Sequence, residues 1–469
     1  MGIQAATGVS PLTYGLSSSV PFQKRKYAVN KPTSPAQLAV SSGVISRGFS
    51  IGDLVEEGRV HSAIYTDPEI FALEMERIFK RTWIYIGHES EVPKTGDFRL
   101  RKIGQQPVIM VRGKDGAVNV LMNRCLHRGA VVAEVESGNT KFFRCWYHGW
   151  TYDTAGKLVQ VTADEGYEPG FCEKKGGLAR PARVEDYRGF VFASLSDDVL
   201  PLREHLGQAA DLMNYLIDFS PTGKITLNAG VNKTAYRGNW KLVGMDGYHV
   251  NYVHASVVEG WSADENSGIA AMHKNDPFSD SALTRTRDLG YGNVLLDFRE
   301  HRMASIDKYV GFLRSTKKGE EYVDAMFAAY GEEQAKKNLS LAGDPHLGVF
   351  PNLQVIGNQI RIINPISADE TEVLMFPVLL EDVPDEINAL RMRQHESFYG
   401  PSSSGSPDDA EIFERVQMGM KATVNPWIDM SRGLNREIVD VDGTRVGRIS
   451  DETTQRGQMR EWKRRMSVD

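Results

Sequence analysis

Two short stretches hold the residues best suited to bind a metal, Cys125-Leu-His127 and Cys145-Trp-Tyr-His148, with 17 residues between His127 and Cys145. The chain has only 3 cysteines and 11 histidines, so two of each within one short segment mark that segment out. Thiolate and imidazole together suit an iron–sulfur cluster or zinc. Zinc ribbons and fingers usually pair like ligands at C-x(2–4)-C spacing, whereas each loop here mixes the two types. A [2Fe–2S] centre with two Cys on one iron and two His on the other asks for such mixed pairs, and its potential lies at about −150 to +300 mV. The spacing alone leaves a structural Cys2His2 zinc site open. If the centre is a cluster, it passes electrons on, and a second site must receive them.

Residues 239–254, NWKLVGMDGYHVNYVH, offer that second site through Asp246, His249 and His254. His249 and His254 are five apart, about 140° on a regular helix, so a shared metal needs a helix break or a π-type turn. Asp246 and His249 share a helix face. Two His and a carboxylate with open positions is the ligand set of mononuclear non-haem iron; two ordinary histidines on a half-buried helix fit as well. Far downstream, Ser406-Pro407-Asp408-Asp409 adds acids. These also read as a helix start, with Ser406 as cap and Asp408, Asp409 and Glu411 complementing the dipole.

Taken together, C-x-H-R-G, C-x-Y-H-G-W and D-x-Y-H-x(4)-H, in that order over residues 50–430, resemble the α subunit of Rieske non-haem iron aromatic ring-hydroxylating dioxygenases of the benzoate and naphthalene type. The resemblance implies Rieske ligation by Cys125, His127, Cys145 and His148, and mononuclear iron held by His249, His254 and Asp409, with Asp408 the fallback. It implies that Asp246 bridges His249 to a Rieske histidine matching His148 across a subunit boundary. A trimeric core follows, either α3 or an α3β3 hetero-hexamer with a small β subunit. Electrons come from NADH through a ferredoxin, a reductase or both. The implied reaction inserts both atoms of O2 into an aromatic acid or polycyclic arene; a monooxygenase or O-demethylase is the alternative. The implied pocket contains Val250, His346, Ile356, Gln359 and Tyr399. Arg237, Arg285 and Arg287 are the arginines considered for a substrate carboxylate. The stretch Val243-Gly244-Met245 is shorter than in many family members and lacks an Asn that some place near iron.

The elements that must position these residues can also be read. Asp67-Pro68 starts a helix with an apolar stripe at Phe71, Met75, Ile78 and Phe79. Hairpins are expected at 108–120 and 151–161, with the metal loops at β tips and Gly129 and Gly149 admitting backbone amides to the cluster sulfurs. Gly189-Phe-Val-Phe192 reads as a closing strand. Helices are expected at 318–338 and 408–422, a hairpin around 364–369, and a solvated helix from 455. The fold class is α+β: an all-β Rieske domain (82–200) inserted into a helix-grip-like catalytic domain with an antiparallel sheet (46–81 and 201–469), after a flexible arm at 1–45. The 469 residues suit about two to three domains. A net charge of −6 gives no reason to invoke nucleic acid or an anionic membrane. With two cysteines assigned to metal, Cys172 is left alone, which argues for a reducing cytoplasm. No apolar run approaches the ~20 residues of a membrane span.

Overall fold

The computed structural model describes residues 50–249, 283–340, 346–403 and 405–467, except the side chain of Asp246. All of them belong to one compact unit, 43–469. The first main helix, α1 (Pro68–Glu74), starts as its sequence demands: Asp67 accepts a hydrogen bond from the Glu69 amide at 2.8 Å, and Pro68 takes the first turn. A π-helical turn, Met75–Phe79, continues it and buries Met75, Ile78 and Phe79.

Strand β1 (Ile84–His88) leads into a four-stranded antiparallel sheet of β2 (Asp97–Ile103), β3 (Gln106–Arg112), β4 (Val118–Met122) and β5 (Ser137–Asn139), in the order β4-β3-β2-β5. A smaller sheet follows, from β6 (Phe142–Arg144), β7 (Thr151–Asp153) and β8 (Leu158–Gln160). The β3–β4 and β7–β8 hairpins fall where the turn residues place them. Strand alternation explains the packing of β3. Ile109 and Val111 join Leu121, Phe143 and Tyr152 in a core beneath the two Cys/His loops, while Val108 and Met110 face the core that holds α1.

Strands β9 (Arg183–Tyr187) and β10 (Phe190–Ser194) pair with β1 in a separate sheet. The expected closing strand, β10, therefore buries Phe190 and Phe192 in the core of the larger sheet, not under the metal loops. Its unbroken apolar run is the mark of a strand covered on both faces.

That larger sheet has nine strands among the described residues: β11 (Asn232–Tyr236), β12 (Arg285–Asp288), β13 (Val294–Asp297), β14 (His346–Val349), β15 (Leu353–Ile356), β16 (Gln359–Ser367), β17 (Glu370–Pro377), β18 (Ile438–Val439) and β19 (Arg445–Arg448). Their order is β11-β17-β16-β15-β14-β13-β12-β19-β18, and every pairing is antiparallel. One face, with Leu295, Leu347, Val355, Ile360, Ile362 and Leu374, packs on α2 (Gln208–Ile217), α3 (Ile306–Leu313) and α4 (Lys317–Tyr330). The expected helix at 318–338 is broken at Gly331, whose φ of +75° ends α4 before a further helix, Glu332–Leu339. The β16–β17 hairpin turns at Ala368-Asp369, within the expected 364–369.

The opposite face is met by the end of α5 (Asp385–Tyr399), by α6 (Ser406–Gly419) and by α7 (Thr453–Met466); in α5, His395 reaches Gln359 while Ile387 joins the core on the first face. Helix α7 corrects the expectation of a solvated tail: Thr453 to Met459, Glu461, Trp462 and Met466 are buried. Its polar side chains have partners inside. Trp462 Nε1 donates to Glu74 at 2.7 Å, and Arg456 reaches Glu437 at 2.7 Å. Composition counted those groups as surface; pairing makes their burial affordable.

Candidate metal centres

Both Cys/His loops close by the same backbone device. The Cys125 amide donates to Ala130 O at 2.7 Å and the Cys145 amide to Trp150 O at 2.8 Å. In return, the amides of Gly129 and Gly149 donate to the carbonyls of Cys125 and Cys145 at 3.0 and 2.9 Å. Both glycines sit at positive φ, +77° and +71°, so the turn itself requires them. Their own amides are spent on carbonyls. The hydrogen-bond donors near sulfur are others: the Tyr152 hydroxyl lies 3.2 Å from Cys125 Sγ and the His127 amide 3.5 Å from it.

The two thiols are buried and the two imidazoles lie at the rim, with ring centroids 4.5 Å apart. His127 stacks on Trp150 at 5.0 Å, and its Nδ1 is buried without a hydrogen-bond partner, as expected of an atom that awaits a metal. Among the described residues, no three His, Cys, Asp or Glu side chains converge as ligands of one ion. A tetrahedral zinc would draw all four donors to one point; a two-iron cluster takes two on each iron. With two buried thiols and two adjacent imidazoles, the residues present fit a [2Fe–2S] group, which Cys125, His127, Cys145 and His148 would hold.

The second centre is assembled from distant parts of the chain. The segment before His249 is a π-helical turn, Leu242–Asp246; the helix break or π-type turn expected between His249 and His254 lies outside the described residues. Gln354 of β15 donates to the Val243 carbonyl, and Thr454 and Gln455 of α7 donate to the Tyr248 carbonyl at 3.2 and 2.9 Å. Gly348 leaves room for the Tyr248 ring, whose hydroxyl occupies the place of a β-carbon there. Lys241, at the start of this segment, forms a fully buried pair with Glu74 at 2.6 Å; Glu74 also accepts from Trp240 at 2.8 Å.

Beneath this segment, residues directly opposite across an antiparallel sheet share a face. His346, Ile356 and Gln359 form one such row over β14, β15 and β16. Gly348, Gln354, Arg361 and Met375 form the next. Burial, with the charges of Arg361 and His249 nearby, presses the His346 imidazole down to about 3, so that it is neutral. Tyr399, at the end of α5, is pushed up to about 12 by burial, against the nearby Arg361 and with the help of Asp409. Asp409 is also the carboxylate that supports the charge of Arg361. His249 thus acts on His346 and Asp409 on Arg361, which stand on neighbouring rows of one sheet face. Val250, His254 and the side chain of Asp246 lie outside the described residues.

Comparisons to known proteins give the family. Residues 82–170 match the Rieske [2Fe-2S] domain family, and residues 219–467 match the ring hydroxylating alpha subunit (catalytic domain). The chain belongs to the ring-hydroxylating α subunits. It is 34% identical to the 2-halobenzoate 1,2-dioxygenase large subunit of Burkholderia cepacia, over 80% of each chain. With the toluate 1,2-dioxygenase α subunit of Pseudomonas putida it shares 33% identity, over 84% of this chain and 86% of that one. A structure of naphthalene 1,2-dioxygenase with indole bound superposes with a TM-score of 0.74 at 25% identity, covering 88% of this chain and 94% of that one. As a ring-hydroxylating α subunit, the chain is an oxidoreductase with a Rieske [2Fe–2S] centre and a mononuclear non-haem iron, and it draws on NADH through partner proteins. Such subunits work with ferredoxin or reductase partners in multimers. No helix among the described residues is long and apolar enough to cross a membrane.

Several contributors escaped the sequence reading. Tyr152, on β7, looked like an ordinary strand residue. Ser406 is the first residue of α6, not its cap; its hydroxyl accepts from Arg361 Nη2 at 3.3 Å. Arg237 and Arg287 are not in the site: Arg237 is largely exposed and pairs with Glu414 at 2.6 Å, and Arg287 pairs with Asp297 at 2.9 Å. Arg285 lies on β12, four strands from Arg361 on β16. Among the described residues, the arginine beside His346, Asp409 and Tyr399 is Arg361, hidden in the run Gln-Ile-Arg-Ile-Ile that periodicity reads simply as strand.

Proposed function

We propose that this chain is the α subunit of a cytoplasmic terminal oxygenase that cis-dihydroxylates an aromatic acid or a polycyclic arene. The overall balance is arene, O2, two electrons and two protons giving a cis-dihydrodiol. The observation that carries this reading is that His249 and Asp409, from distant segments, lie near His346 and Arg361 respectively, which occupy neighbouring rows of one sheet face. When bound, the cluster supplies electrons singly and the iron supplies the place where dioxygen is reduced. In this reading Cys125, His127, Cys145 and His148 hold the cluster, within a Rieske domain spanning 82–200. His249, His254 and Asp409 hold the iron within 201–469, joined by 46–81. Asp409 is preferred to Asp408 because its carboxylate is the one that acts on Arg361 and Tyr399.

Asp246 bridges His249 to His148 of a neighbouring copy, in an α3β3 assembly with a small β subunit. The exposed Trp146 and Tyr147, at 84% and 59%, sit between Cys145 and His148, where that neighbour or an electron donor docks. Val250, His346, Ile356, Gln359 and Tyr399 line the substrate pocket. Turnover of an aromatic panel under labelled dioxygen, with a ferredoxin and reductase, tests the reading. A cis-dihydrodiol with two labelled oxygens is expected; a product with one labelled oxygen, or a dealkylated one, overturns it in favour of a monooxygenase.

A further inference from the structure

Arg361 is an unusual residue for a pocket that receives a ring. It is 6% exposed in the middle of the nine-stranded sheet, and burial presses its pKa below the usual guanidinium value. Its Nε donates to Gln359 Oε1 at 2.6 Å and its Nη2 to Ser406 Oγ at 3.3 Å. Both partners are neutral. Gln359 is held in turn by His395, at 2.9 Å between Nε2 atoms. The nearby charge that favours the cation is Asp409, whose carboxylate is committed to iron in the proposed function. A buried cation with only neutral hydrogen-bond partners is costly to keep, so its retention calls for an anion that arrives later.

The surroundings give that anion a shape. The Tyr399 ring lies 5.4 Å from the guanidinium carbon. The adjacent row presents Ile356, and Met375 lies directly opposite Arg361 on β17. The cation is therefore lined by aromatic and apolar side chains and faces the same region as His249 and Asp409. A planar guanidinium matches a carboxylate bidentately.

We infer that Arg361 is the substrate-carboxylate anchor of this site, which makes the preferred substrate a monocyclic arene carboxylate and not a neutral arene. The inference rests on the proposed oxygenase reading and narrows it. Gln359 and Ser406 are positioning residues that hold the guanidinium plane.

The test uses metal-loaded protein and calorimetric titration with benzoate, 2-aminobenzoate, 2-chlorobenzoate and 4-methylbenzoate, each beside its neutral amide, followed by turnover of the same panel with naphthalene and biphenyl added. At least one acid is expected to bind on the order of 10- to 100-fold more tightly than its amide, as a charge-assisted pair gives. In Arg361→Gln that ratio falls toward one, and Arg361→Lys recovers part of it. Iron content and melting temperature are measured on each variant. If Arg361→Gln is too unstable to purify, Arg361→Lys and Ser406→Ala carry the test, each expected to lower the ratio. Amides bound as tightly as acids by the wild type, or a ratio unmoved in the variants, overturns the anchor. Acid-selective binding without oxygenation of any panel member would leave the anchor standing and sink the oxygenase reading; dihydroxylation of neutral arenes alone would do the reverse.

Discussion

The two metal regions are built on opposite plans. The Rieske loops are local: ligands from one short segment, turns closed by their own backbone amides, thiols buried and imidazoles at the rim. The iron region is long-range. Its candidate ligands stand on a π-turn segment and on α6, over a sheet row from β14 to β16, and are held by side chains from α1 and α7. An electron-transfer centre needs a fixed cluster close to a surface that partners can reach. An oxygenating centre needs burial, which water-free chemistry and ring binding both require.

The widest separation between the plans is in ligand removal. Cys145→Ser is expected to abolish the red-brown colour and the labile sulfide while the mononuclear iron still binds. His249→Ala, His254→Ala and Asp409→Ala are expected to lose that iron and keep the Rieske spectrum. Asp408→Ala is expected to keep both. Metal analysis beside visible absorption reads all five; iron lost only with Asp408→Ala would move the ligand by one residue.

This contrast also explains what the sequence could reveal. The Cys/His loops were legible because their ligands are near neighbours and each glycine answers a local need for positive φ. Hairpins and the Asp67 cap were legible for the same reason. Arg361, Ser406 and the buried face of α7 were not. Their meaning comes from partners far along the chain, such as Trp462 to Glu74 across 388 positions, and a polar residue paired inside looks the same in sequence as one facing water.

Next in size is the buried network beneath the iron segment. Glu74 accepts three hydrogen bonds, from Lys241, Trp240 and Trp462. Glu74→Ala leaves the Lys241 ammonium buried without its counter-charge, so a stability loss of about 3–5 kcal/mol is expected. Thermal and denaturant unfolding measure it. The local plan of the Rieske loops predicts that mononuclear iron is lost at lower denaturant than the cluster colour. Simultaneous loss would show that the two regions unfold as one.

In the proposed assembly, Asp246 is where the two plans meet. A carboxylate between two imidazoles fixes their tautomers and orientation. Asp246→Asn keeps the shape but removes the charge and one acceptor. Both metals are expected to stay bound, and the donor is expected to reduce the cluster normally. Reoxidation by dioxygen with substrate present is expected to slow by about 100-fold, near 2.7 kcal/mol on the barrier. Single-turnover stopped flow of the reduced variant, followed at the Rieske absorbance, gives the rate. A wild-type rate at full metal content would leave the carboxylate no part in coupling the centres.

The smallest effect is confined to the cluster. The Tyr152 hydroxyl accepts from the Leu126 amide at 3.0 Å, which leaves its own proton for Cys125 Sγ at 3.2 Å. Burial, and then that sulfur contact, raise the phenol well above its usual pKa, so it remains a donor across the working range. Reduction adds negative charge to the cluster, and a donor at sulfur stabilises the reduced form more than the oxidised one. Removing one such bond, at about 1 kcal/mol, corresponds to about 40 mV for a single electron. Tyr152→Phe is therefore expected to lower the Rieske potential by about that amount at unchanged iron and sulfide content. Redox titration of the as-isolated protein measures it, with Tyr147→Phe as a control because Tyr147 is exposed on the loop and sits against His148, not sulfur. Equal shifts in both variants would mean that the potential follows the general polarity of the loop and not the hydrogen bond to Cys125.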